Sequence, residues 1–268
     1  MNTKNKYYGF LVVVGIVLLL SICQQGQCQK QRMLPINLAD YDEATYHFGF
    51  TLTANMMYLT LRPEDDYRDS WHPYQEELYW MPIVDSLKYS NIQTVPTPGF
   101  SVGIVANLRL TDYLDLRVVP GMTFSWREVR HDFITVKNGA EGTHIVKDDV
   151  ESVFIDLPFM LKYKAMRINN FRPYVITGLE YKYDLLSNSK KRNEMNAKQI
   201  VKLSPNDIYF TIGAGFDFYM FWFKLGVELR MAFGTFDLLK RQGIDDNFAT
   251  ASINALRSKQ FNIIFTFE

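Results

Sequence analysis

From Asp207 to Asp237 apolar side chains recur at every second position, with a single change of phase. Ile208, Phe210, Ile212, Ala214, Phe216 and Phe218 form one set, and Tyr209, Thr211, Gly213, Gly215 and Asp217 fall between them. Past Met220-Phe221 the parity reverses: Phe223, Leu225, Val227, Leu229, Met231 and Phe233 are apolar, with Lys224, Gly226, Glu228 and Arg230 between. Successive strand side chains point to opposite faces, so the stretch predicts two antiparallel strands joined by a tight turn. Each half exceeds the ordinary strand of roughly five or six residues and matches the ~10 residues a tilted strand needs to cross a bilayer.

Alternation alone does not say which face is enclosed. A soluble ligand-carrying barrel encloses its aliphatics, whereas a membrane barrel turns them to lipid. Here the glycines share the charged face, which suits a narrow, crowded interior. The charged face is therefore assigned to the inside.

The same period organises the rest of the chain. A first strand runs from Tyr46 to about Leu61, with Phe48, Phe50, Leu52, Ala54, Met56 and Tyr58 outward and His47, Gly49, Thr51, Thr53 and Asn55 inward. A hairpin follows, Pro98 to Leu110 and Leu114 to Lys137, with a bulge expected near Pro120-Gly121 because proline removes a ladder hydrogen bond. Asn138 to Asp149 reads as a loop. The third hairpin, Ser152 to Ile168 and Phe171 to Leu186, turns at Asn169-Asn170, a pair tolerant of positive backbone angles, and Pro158 calls for a local irregularity. Ser187 to Asn206 is a loop carrying Lys190, Lys191 and Arg192. After the opening hairpin, Asp245 or Asp246 is placed to cap a short helix through Phe248, Ile253 and Leu256, and the last strand is Lys259 to Glu268.

The pattern predicts an all-β fold: an eight-stranded antiparallel transmembrane β-barrel of outer-membrane type. Short periplasmic turns at 111–113, 169–170 and 220–221 alternate with long extracellular loops at the other four connections. Its inner face would carry Arg109, Arg117, Arg127, Lys162, Lys164, Lys182, Lys224 and Arg230 against Asp115, Asp156, Glu180, Asp184, Asp217 and Glu228. An unpaired buried charge costs several kcal/mol, so these groups should form a connected network. Eight strands leave an interior that side chains fill, and no open pore is expected.

The longest connection, Arg62 to Thr97, contains four prolines and the acidic run Glu64-Asp65-Asp66. It also holds Trp71, Tyr74, Leu78, Tyr79, Trp80 and Met81, which either pack on the barrel rim or form a partner-binding patch. At the other end, Lys4 and Lys6 precede an apolar run from Phe10 to Leu20 and a polar exit. This is the layout of a secretory signal peptide, 1–28, too short for a comfortable membrane span and cut after Cys28. Lipoprotein processing at Cys23 is disfavoured by the bulky Ile22 before it. Residues 29–45 are polar without a clear period and read as a mobile or loosely docked periplasmic segment, ahead of the barrel at 46–268.

Composition narrows the function classes. Aromatic residues are 15% of the chain, a share that the girdles of a membrane barrel use. Lys and Arg equal Asp and Glu at 29 each, so no basic surface for nucleic acid exists. Removal of 1–28 takes away two lysines and both cysteines, leaving a balance of −2 and no thiol chemistry.

Candidate chemistry is sparse. Gly99-Phe100-Ser101-Val102-Gly103 matches a nucleophile elbow, which requires a strand-to-helix turn, but an alternating strand follows it. Gly213-Ala214-Gly215 lacks the third glycine and helix of a dinucleotide site. The four histidines, His47, His72, His131 and His144, have no zinc spacing. A rim site would need His131-Asp132 to meet His144. The expectation is a protein that is not an enzyme, with no catalytic, cofactor-binding or metal residues, no cofactor and no small-molecule substrate.

Several blocks in order carry a family resemblance. They are Pro98-Gly99-Phe100, Asn107-Leu108-Arg109-Leu110, Asp115-Leu116-Arg117, Leu157-Pro158, Leu161-Lys162-Tyr163-Lys164, Asn169-Asn170-Phe171-Arg172-Pro173-Tyr174, Pro205-Asn206-Asp207 and Gly213 to Tyr219. Each is weak alone, but in this order and spacing they resemble the PorT family, outer-membrane barrel components of the type IX (Por) secretion system. The match runs from about His47 to the C-terminus; the long first loop and the leader depart from it. The resemblance implies an outer-membrane protein of a Gram-negative bacterium, with both termini periplasmic. It implies a need for this protein in the export of folded cargo such as proteases and adhesins, and in gliding motility where that exists. Its partners would be outer-membrane lipid and other type IX components. A filled barrel cannot itself conduct folded cargo, so the expected role is accessory. The alternative is a small structural or adhesive barrel with no secretion role.

Overall fold

The computed structural model describes residues 35–63, 72–73, 84–186, 203–239 and 253–268. It contains a short 3-10 helix, Ala39–Glu43, and eleven strands: β1 (Tyr46–Pro63), β2 (His72–Pro73), β3 (Ser86–Val95), β4 (Thr97–Arg109), β5 (Leu114–Val118), β6 (Gly121–Lys137), β7 (Ala140–Lys164), β8 (Phe171–Asp184), β9 (Asn206–Tyr219), β10 (Lys224–Gly234) and β11 (Ile253–Phe267). The period-two hairpin is β9–β10, paired without a register shift from Lys224↔Tyr219 to Gly234↔Tyr209. Its inner face is Asp217, Lys224, Glu228 and Arg230, buried, while Phe216, Leu229 and Met231 are exposed outside. The predicted orientation holds.

All pairings are antiparallel, and the sheet closes because β1 pairs with β11 on one side and with β4 on the other. Around the ring, β5 and β6 act as one strand, both pairing with β4 and β7. That makes eight positions. The connections at residues 110–113, 165–170 and 220–223 mark one end of the ring, here the turn end; the opposite end is the loop end.

Five expectations need correction. Pro120 produces no bulge: β5 and β6 keep one register against both neighbours across the gap, and Pro120 contributes its carbonyl to Ile104 N–H at 2.9 Å. Nor does Pro158 disturb β7, which pairs evenly with β8 from Phe154↔Asp184 to Lys164↔Tyr174. The segment 138–149 is not a loop. Asn138 (φ 51°) and Gly139 (φ 78°) make a two-residue turn, and the ladder starts again at Lys137↔Ala140. Positive φ at both centres is what such a turn demands. The connection 62–97 holds β2 and β3, and β3 continues towards β4 past Pro96 along the same neighbour, β6. Finally, Ile253 and Leu256 belong to β11, not to a helix; both are enclosed although three residues apart, because the β1–β11 ladder shifts register between Arg62 and Pro63. Phe248, Asp245, Asp246, Trp71, Tyr74, Leu78, Tyr79, Trp80, Met81, Lys190, Lys191, Arg192 and the segment 1–28 expected to be a signal peptide lie outside the described residues.

The long strands reverse polarity along their length. On β6 the outward positions change from Met122, Phe124 and Trp126 to Glu128, Arg130 and Asp132. Inward positions change from Thr123, Ser125 and Arg127 to Val129, His131 and Phe133. β1 and β11 switch at the matching level, where Met56 pairs with Phe261: above it, outward Lys259 and Arg257 accompany inward Leu59 and Leu256. Below the switch the ring presents an apolar belt, from about Phe48 to Met56 on β1, compatible with the ~25 Å height of a lipid-facing band. Above it β3, β6 and β7 extend roughly 30 Å as an ordinary water-facing sheet.

Candidate functional site

The ring's interior is occupied at three levels. Nearest the turn end lies a cluster around Glu268, whose carboxylate accepts from Arg117 at 2.7 Å, from the Lys224 ammonium and from the Tyr41 hydroxyl at 3.2 Å. Beside it Asp115 accepts from Lys164 and Asn107, at 2.6 and 2.9 Å. Lys162 reaches Asp217 at 2.6 Å and lies 3.7 Å from the Tyr174 ring, a cation–π contact out of water. Tyr174 donates to Glu228 at 3.0 Å, and Arg230 Nε to the same carboxylate at 2.6 Å.

Gly215 makes this arrangement possible. A Cβ there would sit 2.7 Å from the Tyr174 phenol carbon and oxygen, so the ring lies where a side chain would be.

At mid-height Lys182 bridges Asp156 (2.9 Å) and Glu180 (2.8 Å), and Arg127 pairs with Asp184 at 2.9 Å while also donating to Ser152. A polar cavity of about 50 Å³ lies here, lined by Thr51, Ser101, Asp156, Glu180, Arg230, Gln260 and Asn262. It has room for a few waters, each needing ~10–15 Å³ by this measure. Nearest the loop end the filling becomes apolar: Leu59, Leu87, Tyr89, Ile92, Val129, Phe133, Leu238, Ile253 and Leu256 form one cluster.

Of the fourteen charges assigned to the interior by parity, thirteen are buried. Arg109 is the exception: it lies at the rim and pairs with Asp112. Parity would also have found Arg172, which keeps step with Glu180 and Lys182, and Glu268, which keeps step with Asn262 and Thr266. No periodic signal marks Asp42.

Asp42 belongs to the segment predicted to be mobile or loosely docked, and its described part is docked. The 3-10 helix Ala39–Glu43 sits across the turn end. Asp42 accepts from the Tyr219 hydroxyl (2.8 Å), Arg172 (3.0 Å) and Arg167 (3.4 Å). The Asn37 side-chain amide donates to the Tyr219 carbonyl (3.0 Å), and its backbone N–H donates to Asn170 Oδ1 (2.9 Å). Tyr41 stacks on His47 at 4.1 Å between centroids. Partial burial alone would raise the Asp42 carboxyl, but the Tyr219 hydrogen bond and the two guanidiniums outweigh it and hold it below the ordinary carboxylate range. Burial, then Glu268, pushes the Tyr41 phenol far up, so it stays protonated and donates.

The motifs singled out for chemistry do not assemble. Ser101 lies mid-strand on β4, hydrogen-bonded to Asn55 (2.9 Å) and Thr123 (2.7 Å). His131 is buried against Tyr89, with Tyr89 Oη 3.3 Å from Nδ1, while Asp132 points to the opposite face of β6. His144 is paired with Phe133, on the same face as His131. No group of three metal-ligating side chains forms among the described residues.

A family model of the outer membrane protein beta-barrel domain matches residues 28–240. No curated protein sequence matches the chain significantly. The crystal structure of the outer membrane protein OprG from Pseudomonas aeruginosa aligns with 82% of this chain and 93% of that one, at 12% identity and a TM-score of 0.34. With its closed antiparallel ring, apolar outer belt and charged interior, the chain belongs to the family of outer membrane protein β-barrel domains.

Proposed function

We propose that this outer-membrane barrel is an accessory component of the type IX secretion system, required for export of folded proteases and adhesins without conducting them. The observation that carries the accessory role is the filled interior: ion pairs, polar side chains and an apolar plug succeed one another along the axis. The resemblance to PorT-family sequences supports the secretion role. Many of its blocks lie at the turn end, including Leu161 to Lys164, Asn169 to Tyr174 and Gly213 to Tyr219, around the helix that Asp42 anchors. In this reading the leader 1–28 is removed, the turn end and both termini are periplasmic, and the partners are lipid and other secretion components, with no enzymatic step.

Deletion of the gene, with cargo followed by immunoblot in periplasm and medium, tests the role. Retention in the periplasm is expected; normal release removes the reading. Stable large conductance in planar bilayers would overturn the non-conduit part.

A second reading, a structural or adhesive barrel, is favoured by the sheet of β3, β6 and β7, which rises beyond the apolar belt with a charged outer face. Normal cargo release with lost surface adhesion would select it.

A further inference from the structure

The 3-10 helix Ala39–Glu43 buries none of its residues. It is held by Tyr41, which stacks on His47 and donates to Glu268, and by the Asp42 carboxylate on Arg167, Arg172 and Tyr219. Arg172 is fixed by the barrel, whereas Arg167 is held by both sides, donating to the Asn37 and Leu38 carbonyls of the docked segment as well as to the barrel. Arg172 donates from Nε to the Ala165 carbonyl (2.8 Å) and from Nη2 to the Asp112 carbonyl (2.7 Å). Arg167 donates from Nε to the Asn169 carbonyl (2.7 Å), and its guanidinium lies 3.6 Å from the Tyr219 ring centroid. If the helix leaves, Arg172 stays in place and Arg167 keeps its Asn169 and Tyr219 contacts, so both guanidiniums are left without their carboxylate. A planar fork preset in this way binds a carboxylate with little further ordering.

An independent observation indicates that the helix is poised to leave. Leu38, which precedes it, has φ 49° and ψ 56°, the left-handed region that a branched residue rarely adopts, and it makes no side-chain cap. The docked state therefore stores backbone strain and fully buries no side chain, its aromatic packing being limited to Tyr41 against His47 and Tyr219, which places it at the low-stability end of the molecule.

We propose that Arg167, Arg172 and Tyr219 form a receptor for an acidic segment of a partner protein, and that residues 37–43 occupy it as a tethered stand-in. The stand-in shows the chemistry the site takes: Ala39–Glu43 carries Asp40, Asp42 and Glu43 in five residues. This inference needs no secretion role and goes beyond it, since it concerns only what the turn end binds.

The test uses full-length, detergent-folded protein and a peptide of residues 39–43 flanked by glycines. In the wild type, saturating peptide should accelerate amide exchange across residues 37–43 as it displaces them. Asp42→Ala should bind the peptide about tenfold more tightly, because the site is no longer occupied in cis. Leu38→Gly relieves the strain and should slow exchange of residues 37–43. A peptide carrying the Asp42→Asn change should not bind. The proposal is overturned if the peptide leaves exchange of residues 37–43 unchanged in the wild type, if the amide-bearing peptide binds equally, or if inorganic phosphate at the peptide's concentration displaces it. Should Asp42→Ala fail to fold, the wild-type exchange measurement still decides.

Discussion

The belt-encircled part of the ring and the sheet above it run along the same strands, yet they are built inside out relative to each other. Below Trp126, β6 turns aromatic and aliphatic side chains outward and encloses Thr123, Ser125 and Arg127; above it, Glu128, Arg130 and Asp132 face out and Val129 and Phe133 are enclosed. The backbone, register and pleat do not change across the boundary. What changes is the solvent. Facing hydrocarbon, apolar surface has nothing to escape from, so polar groups gather inside and must satisfy one another. Facing water, the hydrophobic effect drives Leu59, Leu87 and Phe133 inward. The level of the reversal therefore marks the edge of the bilayer on the chain itself.

That contrast can be broken from either side. The largest effect belongs to the ion-filled part: Lys162→Ala leaves Asp217 buried without its cation and should cost ~3–5 kcal/mol, read as a lower urea midpoint of the barrel folded in lipid vesicles. Replacing both partners, Lys162→Met with Asp217→Leu, should recover most of it. If the single variant unfolds like the wild type, the network is not continuous. Phe133→Ala removes the centre of the upper apolar cluster and should cost about 3 kcal/mol or more. Faster hydrogen exchange should then be confined to β3 and the upper parts of β6 and β7.

The same substitution on one strand face sharpens the boundary. Leu157 and Ile145 both point outward from β7, exposed by 37% and 58%. Leu157→Arg, within the belt, should destabilise by ~2–4 kcal/mol, whereas Ile145→Arg should stay within about 0.5 kcal/mol. Equal costs at the two positions would erase the boundary. The smallest effect is at the turn end. Because the Asp42 carboxyl titrates below its ordinary range when docked, docking is favoured above the unfolded value and lost as pH falls through the docked one. Amide exchange across residues 37–43, corrected for its intrinsic pH dependence, should rise as the pH falls below the ordinary carboxylate range, with the barrel ladder unaffected.

Much of this design was legible from parity. Asp217, Lys224, Glu228 and Arg230 were assigned to the interior because they alternate with Phe216, Leu225, Leu229 and Met231, and the structure puts them there. Two prolines misled: Pro120 interrupts the strand between β5 and β6 without shifting its register, and Pro158 sits in a ladder whose register never shifts. The upper sheet was missed for a physical reason. Asn138 to Asp149 is mostly polar on its outward positions, so it lacks the lipid-facing alternation used to find strands, although Asn138-Gly139 is a hairpin turn. Asp42 was invisible because its partners Arg167, Arg172 and Tyr219 lie more than a hundred residues away.

From sequence alone, then, came the period, the faces and the sign of each interior charge, because a strand's pleat is a local property with a two-residue repeat. The pairing of Lys162 with Asp217, the space above Gly215 that Tyr174 fills, the level at which the outside turns from lipid to water and the seat of Asp42 were decided only by closure of the ring. Those depend on which residues of distant strands come level with one another, and register between strands is set by the assembled sheet rather than by any one of them.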